Sequence, residues 1–125
     1  MASNPKHYSF CLRGYHLPFR DGFFDGATLN WVLAHIPVSG NEQFVNEISR
    51  VVRSGGWLFI SDSYWRGQEG DREQIQIRKA GDRKYEVYKY YYELAELKKL
   101  VEKTFGKVEV LQPLHYELIC IARKH

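Results

Sequence analysis

Cysteine is scarce: the 125 residues hold two, Cys11 and Cys120, far apart and with no CxxC spacing. That excludes a disulfide framework and a cysteine-built metal centre, and buried, reduced thiols are the expectation for both. None of His7, His16, His35, His115 and His125 stands four residues from another or beside a cysteine pair, so no metal site is expected. An excess of one charge is missing too. Eighteen basic against 15 acidic side chains give +3, too little to make nucleic acid the expected partner. No apolar run reaches the ~20 residues that span a bilayer, so no membrane partner is expected. No signal-peptide pattern opens the chain, and a cytoplasmic location is expected. The 15% aromatic content supplies large apolar groups that disordered chains lack.

What is present is an alternation of strand and helix patterns in one domain, residues 1–125. A short strand is expected at 8–12, before a break at Leu17-Pro18-Phe19-Arg20-Asp21-Gly22. The nearly continuous apolar run Phe24-Asp25-Gly26-Ala27-Thr28-Leu29-Asn30-Trp31-Val32-Leu33 reads as a strand buried on both faces. Phe44, Ile48, Val51 and Val52 then lie on one helical stripe, with Ser39 and Glu42 at capping-box spacing and Gly55-Gly56 placed to end the helix. Trp57-Leu58-Phe59-Ile60-Ser61 follows as a strand, which makes a βαβ unit with parallel strands and a right-handed crossover. Residues 66–92 form an expected flap, in which Ile75, Ile77, Tyr85 and Val87 alternate around Ala80-Gly81-Asp82 as in a hairpin. Leu94, Leu97, Leu100, Val101 and Phe105 mark a second helix closed by Gly106, and two strands near Val108 and Glu117 end the chain as an antiparallel pair. The fold class expected is α/β, a mixed sheet with flanking helices.

Leu17-Pro18-Phe19, Phe24-Asp25, the strand ending near His35, the amphipathic helix, Arg50-Val51-Val52-Arg53-Ser54-Gly55-Gly56 and the strand running to Asp62 follow one another in order. This series resembles the second half of class I S-adenosylmethionine-dependent methyltransferases of the small-molecule type. The resemblance implies a truncated Rossmann-like half, with the final strand inserted between its two predecessors. It also implies S-adenosylmethionine as cofactor. By position its contacts would fall on Gly14, Tyr15 and His16 for the adenine, and on Asn30 and Trp31 for the methionine part. That pocket is partial. The family's glycine-rich loop after the first strand has no counterpart, because no GxGxG occurs here, and Tyr15 stands where relatives usually carry an aspartate. The isolated chain is therefore not expected to bind the cofactor usefully.

Candidate substrate contacts are His35, Asp62, Tyr64 and Trp65, since ligands gather past the carboxyl ends of strands in open α/β folds. No catalytic residue is assigned. His35 would suit a general base by its ordinary pKa, but serves equally as a surface or helix-end histidine. Tyr85, Tyr88, Tyr90, Tyr91 and Tyr92, interleaved with Lys84 and Lys89, read as a lid packed over the sheet, with aromatic stacking on a ligand as the alternative. Asn30→Ala and Asp62→Ala are expected to leave stability nearly unchanged, as surface changes do.

Whether the chain is an enzyme stays open at this point. The leading expectation is a methyltransferase-like half domain acting as a binding or assembly module. The alternatives are a half enzyme completed by a partner chain with the glycine-rich loop, and an inactive gene remnant. Strand 24–33 lacks proline and lysine, so a bare edge there would invite pairing. A homodimer formed along that edge, or by exchange of amino-terminal strands, is the expected assembly.

Overall fold

A computed structural model describes residues 15–125; the strand expected at 8–12, Cys11 and Gly14 lie outside them. Its elements are β1 (Phe24–Asn30), α1 (Asn41–Val51), β2 (Val52–Ser63), β3 (Glu73–Ala80), β4 (Arg83–Tyr90), α2 (Leu94–Thr104), β5 (Gly106–Leu114) and β6 (Glu117–Lys124). The main sheet has the order β1-β2-β6-β5, with β1 parallel to β2 and β6 antiparallel to both its neighbours. This is the mixed α/β fold, with the last strand inserted, that the motif order implies.

Period decides which face is buried. In β2 and β6, Leu58, Ile60, Leu118, Cys120 and Ala122 point to one side, where they meet Phe44, Val45 and Ile48 of α1 and Leu97, Leu100 and Val101 of α2. Each large side chain so buried contributes about 1.5–3 kcal/mol of transfer free energy. The alternate residues line the other face, where Thr28, Phe59, Ile121 and Val110 pair across four strands. Both helices pack into the first core, and Trp57 and Val110 stay well exposed.

Four expectations shift locally. β1 stops at Asn30 rather than Leu33, because Trp31 takes a left-handed backbone (φ 59°) and two single-turn 3-10 segments follow. Glycine precedes α1 as its cap, and no side chain bonds the helix start, so Ser39 and Glu42 do not form a capping box. The complete box is at α2, between Glu93 and Glu96. Gly55-Gly56 does not end α1, which stops at Val51; it forms a bulge in β2, where the pairing skips from Phe24–Val52 to Gly26–Trp57. A Cβ on Gly56 would fall 2.6 Å from the Asp25 carbonyl oxygen, so only glycine passes there. Gly106 opens β5 instead of closing α2, and a Cβ there would lie 2.0 Å from the Arg123 carbonyl.

The flap is a hairpin, as expected. β3 and β4 pair antiparallel from Glu73–Tyr90 to Ala80–Arg83, with Gly81-Asp82 as the turn. Its far end is exposed at Ile75, Ile77 and Tyr85, while Tyr88, Tyr90 and Tyr92 pack on the core. The tyrosines thus cover the core as a lid would, but the hydroxyls of Tyr88, Tyr90 and Tyr92 bond Glu73, Glu96 and Asn41 in place of water, and Lys89 is buried with them.

Candidate functional site

Two polar clusters flank the parallel pair, one built on α1 and the other at the end of β2. The first ties the Leu17-Pro18-Phe19 loop to α1. Arg50 lies one turn after Glu47, so its guanidinium meets that carboxylate through two bonds, from Nε to Oε1 (2.8 Å) and from Nη2 to Oε2 (2.7 Å). Its other donors reach the Phe19 carbonyl (2.7 Å), Asp21 (3.0 Å) and the Leu17 carbonyl (2.9 Å). All five donors of the fork are used. The Leu17 amide donates to Glu47 in turn (2.6 Å). The Arg50 hydrogen bonds hold the Glu47 carboxyl down to about 2, outweighing the opposing effect of burial. The arginine and the Leu-Pro-Phe run of the recognised series are thus two halves of one clamp.

The second cluster sits where β1 and β2 end. Asp62, 2% exposed, accepts the Ala34 amide (2.9 Å) and the Ser63 amide (2.8 Å). Lys89 reaches in from β4 to 3.8 Å from its Oδ1, and the ammonium lies over the rings of Trp31 (5.6 Å) and Tyr91 (5.3 Å). Burial raises the pKa of Asp62, against the Ala34 amide and the Lys89 charge, and lowers that of Lys89, against Asp62. Burial pushes each partner toward its neutral form and the other's charge opposes it, with the Ala34 and Ser63 amides also favouring the Asp62 carboxylate. The Ser63 hydroxyl is buried with no hydrogen-bond partner among the described residues.

The other candidate residues surround this cluster. His35 donates from Nδ1 to the Tyr88 carbonyl (2.7 Å), which fixes the ring and leaves Nε2 to accept. Trp65 packs 6.2 Å from Tyr91, and its amide bonds the Tyr92 carbonyl. Tyr64 bridges to Tyr92, and its side chain packs on the core. Asn30 accepts the Ser61 hydroxyl (2.9 Å) on the exposed edge of the sheet.

The expected cofactor residues do not share one hollow. Tyr15 turns with φ 53° onto Phe44 (5.7 Å between rings) and Gly40, and with His16 it lines a hollow of about 700 Å³ along α1. Trp31 lines a different hollow of about 460 Å³, beside the turn joining β5 and β6. The carboxylate nearest His16 is Glu47 (3.8 Å), already consumed by Arg50.

Lys89 is the site residue that sequence reasoning missed. Alternation within β4 separates it from Tyr88 and Tyr90, and the two-residue turn sets its pairing with Gln74. Nothing local says that the hairpin lies across the end of β2.

Known proteins share this fold. A family model described as a methyltransferase domain matches residues 2–60. No curated protein matches the sequence. Among solved structures, an S-adenosylmethionine-dependent methyltransferase from Methanosarcina mazei superposes with a TM-score of 0.73 at 16% identity, over 90% of this chain and 65% of that one. The 1,6-didemethyltoxoflavin-N1-methyltransferase of Burkholderia thailandensis, solved with bound 1,6-didemethyltoxoflavin and S-adenosylhomocysteine, gives 0.61 at 22% identity, over 83% and 45%. The cyclase SpnF gives 0.67 at 16% identity, over 92% and 56%. The chain thus spans about half to two-thirds of the length of these structures. It resembles a methyltransferase domain in sequence over residues 2–60 and shares the fold of these structures, in the portion that includes the inserted last strand.

Proposed function

We propose that this chain is a methyltransferase-like half domain that works as a binding and assembly module, without a complete cofactor pocket among its described residues. The sheet carries the reading: α1 and α2 cover one face, while Trp57, Phe59, Ile119, Ile121 and Val110 line the other with no helix over them among the described residues. β1 stands at the end of the sheet with β2 as its only strand neighbour among those residues. Its backbone from Gly26 to Asn30 offers a template for a further strand. A homodimer pairing along that side would cover both features in one closed assembly.

The fold alone does not choose the reaction, since a cyclase shares it with methyltransferases. S-adenosylmethionine is the ligand the family implies, and the split between Tyr15 and Trp31 supports a chain that binds it poorly by itself. Size-exclusion chromatography with light scattering, followed by calorimetric titration of the same sample, tests both points. A dimer without stoichiometric micromolar binding is the expected result; a monomer at tens of micromolar, or such binding, overturns the corresponding part.

A second reading rests on the cluster at the end of β2. Asp62, Lys89 and the unbonded Ser63 hydroxyl are more polarity than a scaffold requires there, which favours a half enzyme completed by a chain bearing the glycine-rich loop. In that case a chain of that kind copurifies, and Asn30→Ala abolishes activity of the mixture. Unchanged activity would remove Asn30 from the site.

A further inference from the structure

The net charge of the chain is gathered in one place. Arg78-Lys79-Ala80-Gly81-Asp82-Arg83-Lys84 holds four basic side chains and one acidic, so the whole excess of +3 lies in this segment and the rest of the chain is balanced. These residues are the tip of the β3–β4 hairpin, and every residue from Ile77 to Glu86 is exposed. None of the ion pairs among the described residues includes the four cations. Arg78 donates to the Gln76 side chain (2.9 Å), which carries no charge. Lys79 and Lys84 stand directly opposite each other across the strands, an arrangement that costs stability. Lysine on a strand edge can discourage stray pairing, but that use calls for neither a like-charged pair nor the two arginines. The tip is charged at the expense of the fold, which points to a use outside it.

The register selects the partner. Cross-strand neighbours share a face of the ribbon, so Lys79 and Lys84 stand on one face, and Arg78, Arg83 and Tyr85 on the other. A flat anionic surface, whether a lipid bilayer or the acidic face of a protein, meets one face of a ribbon and leaves the other pair of cations idle. A bilayer taking the lysine face would also have to take in Glu86, which stands opposite Ile77 on it. A groove meets both faces at once. The major groove of B-form DNA is about 12 Å wide, admits a two-stranded ribbon and is bounded on either side by phosphates. A net +3 spread over a surface is too slight to draw nucleic acid; gathered on both faces of one exposed tip, it matches two rows of phosphates. We propose that the β3–β4 tip is an arm that enters the major groove of a DNA duplex and pairs with phosphates on both sides, by charge rather than by base sequence. The arm goes beyond the half-domain reading and shares no residue with the β1 edge or the cofactor positions, so a monomer in light scattering or a failed cofactor titration leaves it standing.

Fluorescence anisotropy of the full chain with a labelled DNA duplex, repeated over a series of KCl concentrations, tests it. Four phosphate contacts predict that log K falls against log salt with a slope of about −3.6. The double variants Lys79→Ala/Lys84→Ala and Arg78→Ala/Arg83→Ala each empty one face. Each is expected to weaken binding about tenfold at low salt and to bring the slope about halfway to zero. Lys79→Arg/Lys84→Arg, which keeps the charge, is expected to retain both affinity and slope. The same strand without its complement should bind more weakly, since it has no groove. Absence of binding at the lowest salt overturns the proposal, as does a loss confined to one of the two alanine variants while both keep their circular dichroism. Equal affinity for the single strand, or tighter binding to phosphatidylserine vesicles or to polyglutamate than to the duplex, overturns it too.

Discussion

Arg50 with Glu47 and Lys89 with Asp62 are both opposite charges held inside the same small domain, yet they are built differently. The arginine pair is planar, bidentate and saturated, with five donors on five acceptors. The lysine pair is 3.8 Å apart, backed by aromatic faces, and stands next to a buried hydroxyl with nothing to bond. A saturated pair fixes a loop and leaves nothing over for a ligand. An unsaturated one keeps bonding capacity in reserve, and it lies at the end of the parallel strands, where a ligand would use it.

The largest effect expected is at Asp62. Asp62→Ala strands the Lys89 charge and two amides and should cost about 3–5 kcal/mol in urea unfolding at pH 7. The expectation of a nearly neutral change, drawn from an exposed loop position, fails because the carboxylate is 2% exposed. Coupling it to Lys89→Met should restore much of the loss; a double variant as unstable as the single one would show that the amides, not the lysine, set the cost.

Next comes the clamp. Arg50→Ala should lower the urea midpoint clearly, and Arg50→Lys should recover less than half of that loss, since an ammonium cannot reproduce the fork. Full recovery by lysine would reduce the clamp to simple charge attraction.

A smaller, pH-dependent effect separates the pairs further. The Glu47 pKa is lowered from 4.5 to about 2 in the folded chain, so its stabilisation is complete above 4.5 and is lost as pH falls toward 2. Thermal unfolding of Glu47→Gln should therefore sit below wild type at pH 7 and converge with it near pH 2. A constant gap across that range would mean that the carboxylate charge is not what stabilises the loop.

Smallest of all is Ser63→Ala. With no bond to lose, it should be neutral within about 0.5 kcal/mol or stabilising, measured in the same urea series. A loss above 1 kcal/mol would reveal a partner for the hydroxyl and make the second cluster as saturated as the first.

Much of the fold was legible because its signals are local. The 3.6-residue stripe of Phe44, Ile48 and Val51 and the alternation around Gly81-Asp82 each specify an element without reference to the rest of the chain. The strand order followed from the resemblance. Boundaries were less legible: Gly55-Gly56 can end a helix or form a bulge, and only the approach of Asp25 to Gly56 decides between them. The site was legible in part. Asp62, Trp65 and His35 were named from their place past strand ends, and they do gather around one cluster. Lys89 was not, since its burial depends on where a hairpin lands 27 residues further along the chain than Asp62. Tyr15 and Trp31, assigned by family position to the two ends of one ligand, line separate hollows.

The position of β6 has a consequence in time. It lies between β2 and β5 yet is made after both. Until it emerges during synthesis, β1-α1-β2 and α2-β5 are two fragments with apolar strand edges and no ladder between them, a state prone to wrong pairing. Arrival of the strand closes two ladders at once, and Lys124 fastens it to the Ser49 and Val52 carbonyls at the junction of α1 and β2. The slow, sequence-distant contacts are thereby concentrated in one late event, so the nascent chain stays dependent on its surroundings until almost its last described residue is available.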